Sequence, residues 1–212
     1  MKAIFLAVII VVALSGCSAL KDPKVWIPLA AAAVLQVNNY DEDLQEHLYD
    51  NAPVFGDAEN AQDWGDELEY FTEKTYLATA VFTPMPVVAL AQYASVDALD
   101  GAVGEMKSAV GRDRPTNGGD GSMPSGHATR TAYKASLTQT NVSYLDIDDG
   151  YKTAINYTVE SASIMTAYSR VEAGAHYPSD VLVGYALGNL AGNGARLAIS
   201  ENKAALTFNW HF

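Results

Sequence analysis

Three of the five arginines and two of the four histidines of this chain fall in or beside three short clusters. Lys107 is followed, after six residues, by Arg114 and Pro115. Pro124-Ser125-Gly126-His127 comes next, and then Ser169-Arg170, His176 and Asp180, with gaps of five and three residues. Arginine presents a planar fork matched to phosphate oxygens, and lysine acts as a point charge. Lys107 and Arg114 are seven positions apart, about two helical turns, which predicts one helix face ended by Pro115. Ser125 is a favourable N-cap, and amides at a helix N-terminus bind anions. Gly126 permits close backbone approach there, and His127 falls in the first turn. A carboxylate such as Asp180 beside an imidazole such as His176 fixes its tautomer and makes the other nitrogen a better nucleophile or base. Two histidines, an adjacent carboxylate and three cations form a complete set for phosphoryl transfer. One histidine attacks, one protonates the leaving oxygen, and the cations hold the equatorial oxygens. This inventory requires no metal and no cofactor. Each residue taken singly reads as an ordinary surface or core residue, Arg112 as a partner of Asp113 or a solvated charge. The joint occurrence in order carries the inference.

These residues need helices to position them. Apolar spacing, proline and glycine predict helices over 28–37, 67–82, 87–110, 127–137, 151–171 and 179–199, with Pro28 and Pro178 at helix starts. The acidic stretch 38–66 reads as loop with short helical pieces, and 116–123, with three glycines, as loop. Strand signals are nearly absent, so the expectation is an all-α single domain over 25–200, with a tail over 201–212. The stretch 75–96 carries no charge and is long enough to span a bilayer. Pro84 and Pro86 in its middle predict two core helices around a proline turn instead. In the tail, Leu206, Phe208, Trp210 and Phe212 alternate with polar residues; one strand makes no barrel, so the expectation is a terminal segment packed on the body or on a partner.

The chain has 212 residues, 13 Lys+Arg against 25 Asp+Glu, a formal net charge of −12 and one cysteine. That balance excludes a nucleic-acid partner, which needs a basic footprint. One cysteine excludes a disulfide scaffold and Cys-rich metal sites. Residues 1–16 read as a signal peptide: Lys2 is a short positive region, and 3–14 is apolar but too short to span. Leu14-Ser15-Gly16-Cys17 resembles a bacterial lipobox, in which Cys17 is lipidated and becomes the mature N-terminus. Residues 17–24 then form the lipidated cysteine and a tether. The expected address is the cell envelope, with acyl chains as the membrane partner. Ser18 after the cysteine resembles the pattern that sends enteric lipoproteins to the outer membrane, facing the periplasm.

Taken together, the three clusters resemble the signature of the type-2 phosphatidic acid phosphatase superfamily, K-x6-R-P, P-S-G-H and S-R-x5-H-x3-D. Every position is filled: Lys107, Arg114, Pro115, Pro124, Ser125, Gly126, His127, Ser169, Arg170, His176 and Asp180. The resemblance covers about 87–195 and implies a helical bundle of the phosphatase and haloperoxidase type. It implies His176 as the nucleophile forming a phosphohistidine, Asp180 orienting it, and His127 as the general acid. Lys107, Arg114 and Arg170, with Ser125 and the Gly126 amide, would bind the phosphoryl oxygens. The implied activity is metal-independent hydrolysis of phosphate monoesters, with lipid phosphates and pyrophosphates as further candidates. The vanadium-dependent haloperoxidase branch shares these residues but has much longer chains. A non-catalytic envelope lipoprotein retaining the fold is a third reading, against which the intact positions argue. Eight residues separate Pro115 from Pro124, short beside many soluble members. The six spanning helices typical of the membrane branch are missing from the hydropathy pattern. The chain looks more like the soluble bacterial acid phosphatases with a lipid anchor added.

Overall fold

A computed structural model describes residues 21–37, 39–83, 86–116, 118–195, 198–200 and 203–205. The signal segment, Cys17 and the alternating tail over 206–212 lie outside the described residues. Within them are seven helices: α1 (Pro23–Val37), α2 (Tyr40–Asn51), α3 (Ala58–Phe82), α4 (Pro86–Val110), α5 (Gly126–Ser143), α6 (Asp149–Glu172) and α7 (Pro178–Gly194). Two short strands follow and pair antiparallel, β1 (Ala198–Ser200) and β2 (Lys203–Ala205). The fold is the expected all-α bundle, and these strands are a minor addition to it.

Several expected boundaries shift, each for a local reason. α1 starts at Pro23, so Pro28 sits inside the helix and is buried, next to Leu29, which with Val25 and Ala32 packs with Val183, Ala186 and Leu187 of α7. The Asp22 side chain accepts from the Lys24 amide at 2.9 Å and caps this earlier start. Lys24, placed in the tether by sequence, is an ion-pair partner of Glu160. The acidic stretch after Asn38 is largely helical. Asp41, Glu42 and Asp43 occupy the first turn of α2, where they oppose the positive end of the helix dipole. Asp57 caps α3 by accepting from the Asn60 amide at 2.7 Å. α4 ends at Val110, as the predicted span 87–110 has it, but Pro115 is not what ends it: Gly111 takes a left-handed φ of 59° and its amide returns to the Lys107 carbonyl. Arg114 therefore lies in the following loop and not on the helix face of Lys107. α7 stops at Gly194, before the two strands.

The uncharged stretch over 75–96 divides between α3 and α4, with Tyr76, Thr79 and Ala80 buried and Val81 and Phe82 exposed. α5 runs through the middle of the bundle, packed against α3, α4, α6 and α7. Its approach to α7 is set by glycines at every fourth position of α7. A Cβ on Gly184 would lie 2.5 Å from the Ser125 carbonyl, and one on Gly188 would lie 2.3 Å from the Thr129 carbonyl. Bare backbone at these positions lets the N-terminus of α7 dock on that of α5, where the Ser125 amide donates to the Asp180 carbonyl at 3.0 Å. Gly188→Ala should force the two helices apart and destabilise the fold by about 1–3 kcal/mol, the usual cost of overpacking. Urea unfolding of the two proteins measures this, and equal midpoints would show that the approach can relax.

Candidate active site

His176 is delivered by the turn between α6 and α7. Gly174 in that turn has a φ of 67°, and the amides of Ala175 and His176 return to the Arg170 carbonyl at 3.0 and 3.2 Å. The imidazole is 2% exposed. Its Nδ1 lies 3.5 Å from Ser122 Oγ and 3.9 Å from Asp180 Oδ2. The Ser122 hydroxyl donates to Asp180 Oδ2 at 2.6 Å, so a serine stands between the histidine and the carboxylate expected to orient it. A proton on Nδ1 leaves the Nε2 lone pair for chemistry. Burial pushes the His176 pKa well below its ordinary value, and the positive charges of Lys107, Arg114 and Arg170 push it further. The imidazole is thus neutral at physiological pH.

Asp180 is fully buried. The Tyr177 amide donates to its Oδ2 at 2.9 Å, and Arg112 Nη1 donates to Oδ1 at 2.8 Å. Arg112 also pairs with Asp41 at 2.9 Å and lies over the Tyr177 ring, 3.8 Å from its centroid. Asp41, 1% exposed, in turn accepts from the Ser179 amide at 2.8 Å and the Ser179 hydroxyl at 2.5 Å. Sequence reasoning missed this network. Arg112 is no solvated charge or partner of Asp113: it neutralises two buried carboxylates. Asp41 gives no sequence signal, because 138 residues separate it from Ser179. Ser122 lies only two residues before the Pro124 motif, and its proximity to that motif was the available clue.

The cations converge from separate elements. Lys107 projects from the last turn of α4 and donates to the Gly121 carbonyl. Burial, together with the Arg114 charge, lowers its pKa to about 8. Arg114 is half-buried in the loop after α4, where its amide donates to the Gly119 carbonyl. Arg170 is buried in the last turn of α6. Ser125 caps α5 as expected, accepting from the Ala128 amide, and Gly126 opens the helix. His127 is half-buried in that first turn. Burial lowers its pKa to about 4, with Arg170 and Arg130 adding to the effect and Glu69 and Asp66 opposing it. Glu69 and Asp66 of α3 were also missed: their carboxylates stand 3.4 and 3.2 Å from His127 Nε2. The residues expected to bind and transfer phosphate are therefore all brought to one region; Cys17, the expected lipidation residue, lies outside the described residues.

Arg112→Ala would leave Asp41 and Asp180 buried without their counter-charge. The expected loss is about 3 kcal/mol of stability, as for other broken buried pairs. Chemical denaturation reads this directly, and a change below about 0.5 kcal/mol would show that the pair is dispensable.

The PAP2 superfamily model matches residues 75–204. No curated protein sequence matches the chain. Among solved structures, the fold is similar to that of the transmembrane PAP2 type phosphatidylglycerolphosphate phosphatase from Bacillus subtilis. The TM-score is 0.63 at 19% identity, over 78% of this chain and 88% of that one. Among the described residues of the present chain, no helix is long and apolar enough to cross a membrane. The matched segment contains every signature residue from Lys107 to Asp180, whereas Asp41 and Asp66 precede it. With the family model spanning more than half of its length, and the fold in agreement, the chain belongs to the PAP2 superfamily.

Proposed function

We propose that the protein is a metal-independent phosphatase that hydrolyses phosphate monoesters through a phosphohistidine. The observation that carries this reading is a buried, neutral His176, backed by Ser122 and Asp180, on which the charges of Lys107, Arg114 and Arg170 all bear. His176 Nε2 attacks phosphorus, the bond to the leaving oxygen breaks with its electron pair on that oxygen, and His127 supplies the proton. Water then attacks the phosphohistidine, His127 takes back a proton, and orthophosphate leaves. The three cations, with Ser125 and the Gly126 amide, hold the charge that develops on the equatorial oxygens.

The membrane belongs to the same proposal. The lipobox at Cys17 supports an envelope lipoprotein, with the outer membrane, facing the periplasm, as its address. Lipid phosphates are then within reach of the site, and the fold relative is a phosphatase of phosphatidylglycerolphosphate.

Phosphate release from a panel of monoesters should be insensitive to chelator, fall to background in His176→Ala, and fall about 100- to 1,000-fold in Arg170→Ala. Equal release by His176→Ala and the parent protein would remove His176 from the mechanism. A general acid must hold its proton, and His127 titrates at about 4 in the free protein. Its protonated fraction falls as pH rises, so kcat/KM should drop about tenfold per unit above about pH 5. Bound phosphate adds negative charge beside His127 and raises its pKa, so kcat should persist to higher pH than kcat/KM. In His127→Asn this slope should vanish. Labelled palmitate should be incorporated by the full chain in cells and not by Cys17→Ser; incorporation by both would place the anchor elsewhere.

A further inference from the structure

The carboxylates beside His127 bear on what the leaving group can be. His127 Nε2 lies 3.2 Å from Asp66 Oδ1 and 3.4 Å from Glu69 Oε2, so both line the place where a leaving oxygen would take its proton. The two differ in how they are matched. Glu69 is held by Arg130, whose Nε and Nη2 donate to its two oxygens at 2.5 and 2.9 Å. Asp66 is half exposed and accepts instead from Arg170 Nη1 at 3.3 Å, while Gln62 Oε1 accepts from Arg170 Nη2 at 3.2 Å. This juxtaposition depends on Gly65. A Cβ there would lie 2.3 Å from Ser169 Oγ, so bare backbone is what brings this turn of α3 onto α6.

Arg170 is incompletely satisfied by these partners. Its Nε is buried and has no hydrogen-bond partner among the described residues. A phosphoryl group offers the three acceptor oxygens such a fork lacks, and it would take over the guanidinium from Asp66. Asp66 would then keep its charge without its cation, against the leaving oxygen. Behind Glu69 the acidic character continues into a cavity of about 220 Å³ lined by Glu73, Asp97 and Asp100. The cations of that cavity are already engaged, Arg130 with Glu69 and Asp100, and Lys134 with Glu73 at 2.7 Å.

We propose that Asp66 is a specificity-determining residue whose carboxylate, set between His127 and Arg170, favours phosphomonoesters with an uncharged or cationic leaving group over diphosphates. The inference rests on the phosphatase reading above and narrows its substrate class. A leaving alcohol or amino alcohol meets Asp66 without cost. A leaving phosphate brings a second anion against a carboxylate that substrate binding has just deprived of its counter-charge, and like-charge juxtaposition is the usual device for rejecting a wrong partner.

The test compares phosphoethanolamine with inorganic pyrophosphate in the parent protein, Asp66→Asn and Asp66→Glu. The ratio of kcat/KM for pyrophosphate to that for phosphoethanolamine should rise about tenfold in Asp66→Asn and stay near the parent value in Asp66→Glu, which keeps the charge. Calorimetric Kd values for the same two compounds give the ratio without turnover, and Asp66→Asn should also bind orthophosphate several-fold more tightly. Ratios and orthophosphate affinity unchanged by Asp66→Asn would overturn the proposal. A parent protein that binds both compounds and hydrolyses neither would refute the phosphatase reading alone, with the binding ratio still deciding the role of Asp66. Asp66 is exposed enough for the amide to be accommodated, and far-UV circular dichroism with the urea midpoint confirms that each variant is folded.

Discussion

Asp180 places a carboxylate where no water reaches it, and a buried charge persists only when donors surround it. Burial pushes its pKa up, while Arg112, the Ser122 hydroxyl and the Tyr177 amide hold it down. Meeting that one charge ties both ends of the α4–α5 connection to the start of α7. Arg112 comes from the loop after α4, Ser122 from the loop before α5, and Tyr177 from the start of α7. Arg112 carries the chain one step further, to Asp41 at the start of α2, whose carboxylate takes the Ser179 amide and hydroxyl. The same network fixes the ring of His176, because the serine that satisfies Asp180 also faces Nδ1. The satisfaction of one buried carboxylate and the orientation of the His176 ring are thus a single arrangement.

A second consequence concerns charge. The chain is strongly acidic overall, yet Lys107, Arg112, Arg114 and Arg170 gather within its interior and loops. Exposed charges farther than about 8 Å are largely screened at physiological ionic strength, whereas buried neighbours are not. The pocket is therefore governed by its own cations and not by the net charge. Burial first, and cationic neighbours in addition, hold His176 and His127 below the ordinary imidazole pKa. The carboxylates of α3 oppose these cations on the His127 side, where Asp66 and Glu69 stand.

Much of this was legible in the residues. Ser125, Pro178 and the glycines of the loop before α5 are local signals, and the helices they start or interrupt occur close to where spacing placed them. Asp57 and the acidic first turn of α2 are local signals as well, but the density of Asn, Asp, Gly and Pro around them reads as loop. Pro28 was misjudged because proline at a helix start and proline one turn inside it look alike until the capping role of Asp22 is known. Gly111 ended α4 four residues before Pro115, so two cations with helical spacing came to stand on different elements.

The sequence by itself determined the fold class, the order of the helices and the signature residues from Lys107 to Asp180, because capping, periodicity and a spaced signature are properties of neighbouring residues. Only the tertiary structure decided which charges meet. Asp41 with Ser179, Ser122 with Asp180, and Asp66 with both Arg170 and His127 are pairs far apart in the chain. Gly65 lets the turn of α3 that carries Asp66 approach α6, and Gly184 and Gly188 let α7 approach α5, more closely than a Cβ would allow. A buried charge selects its partner by distance and desolvation, and neither quantity exists until the helices have packed.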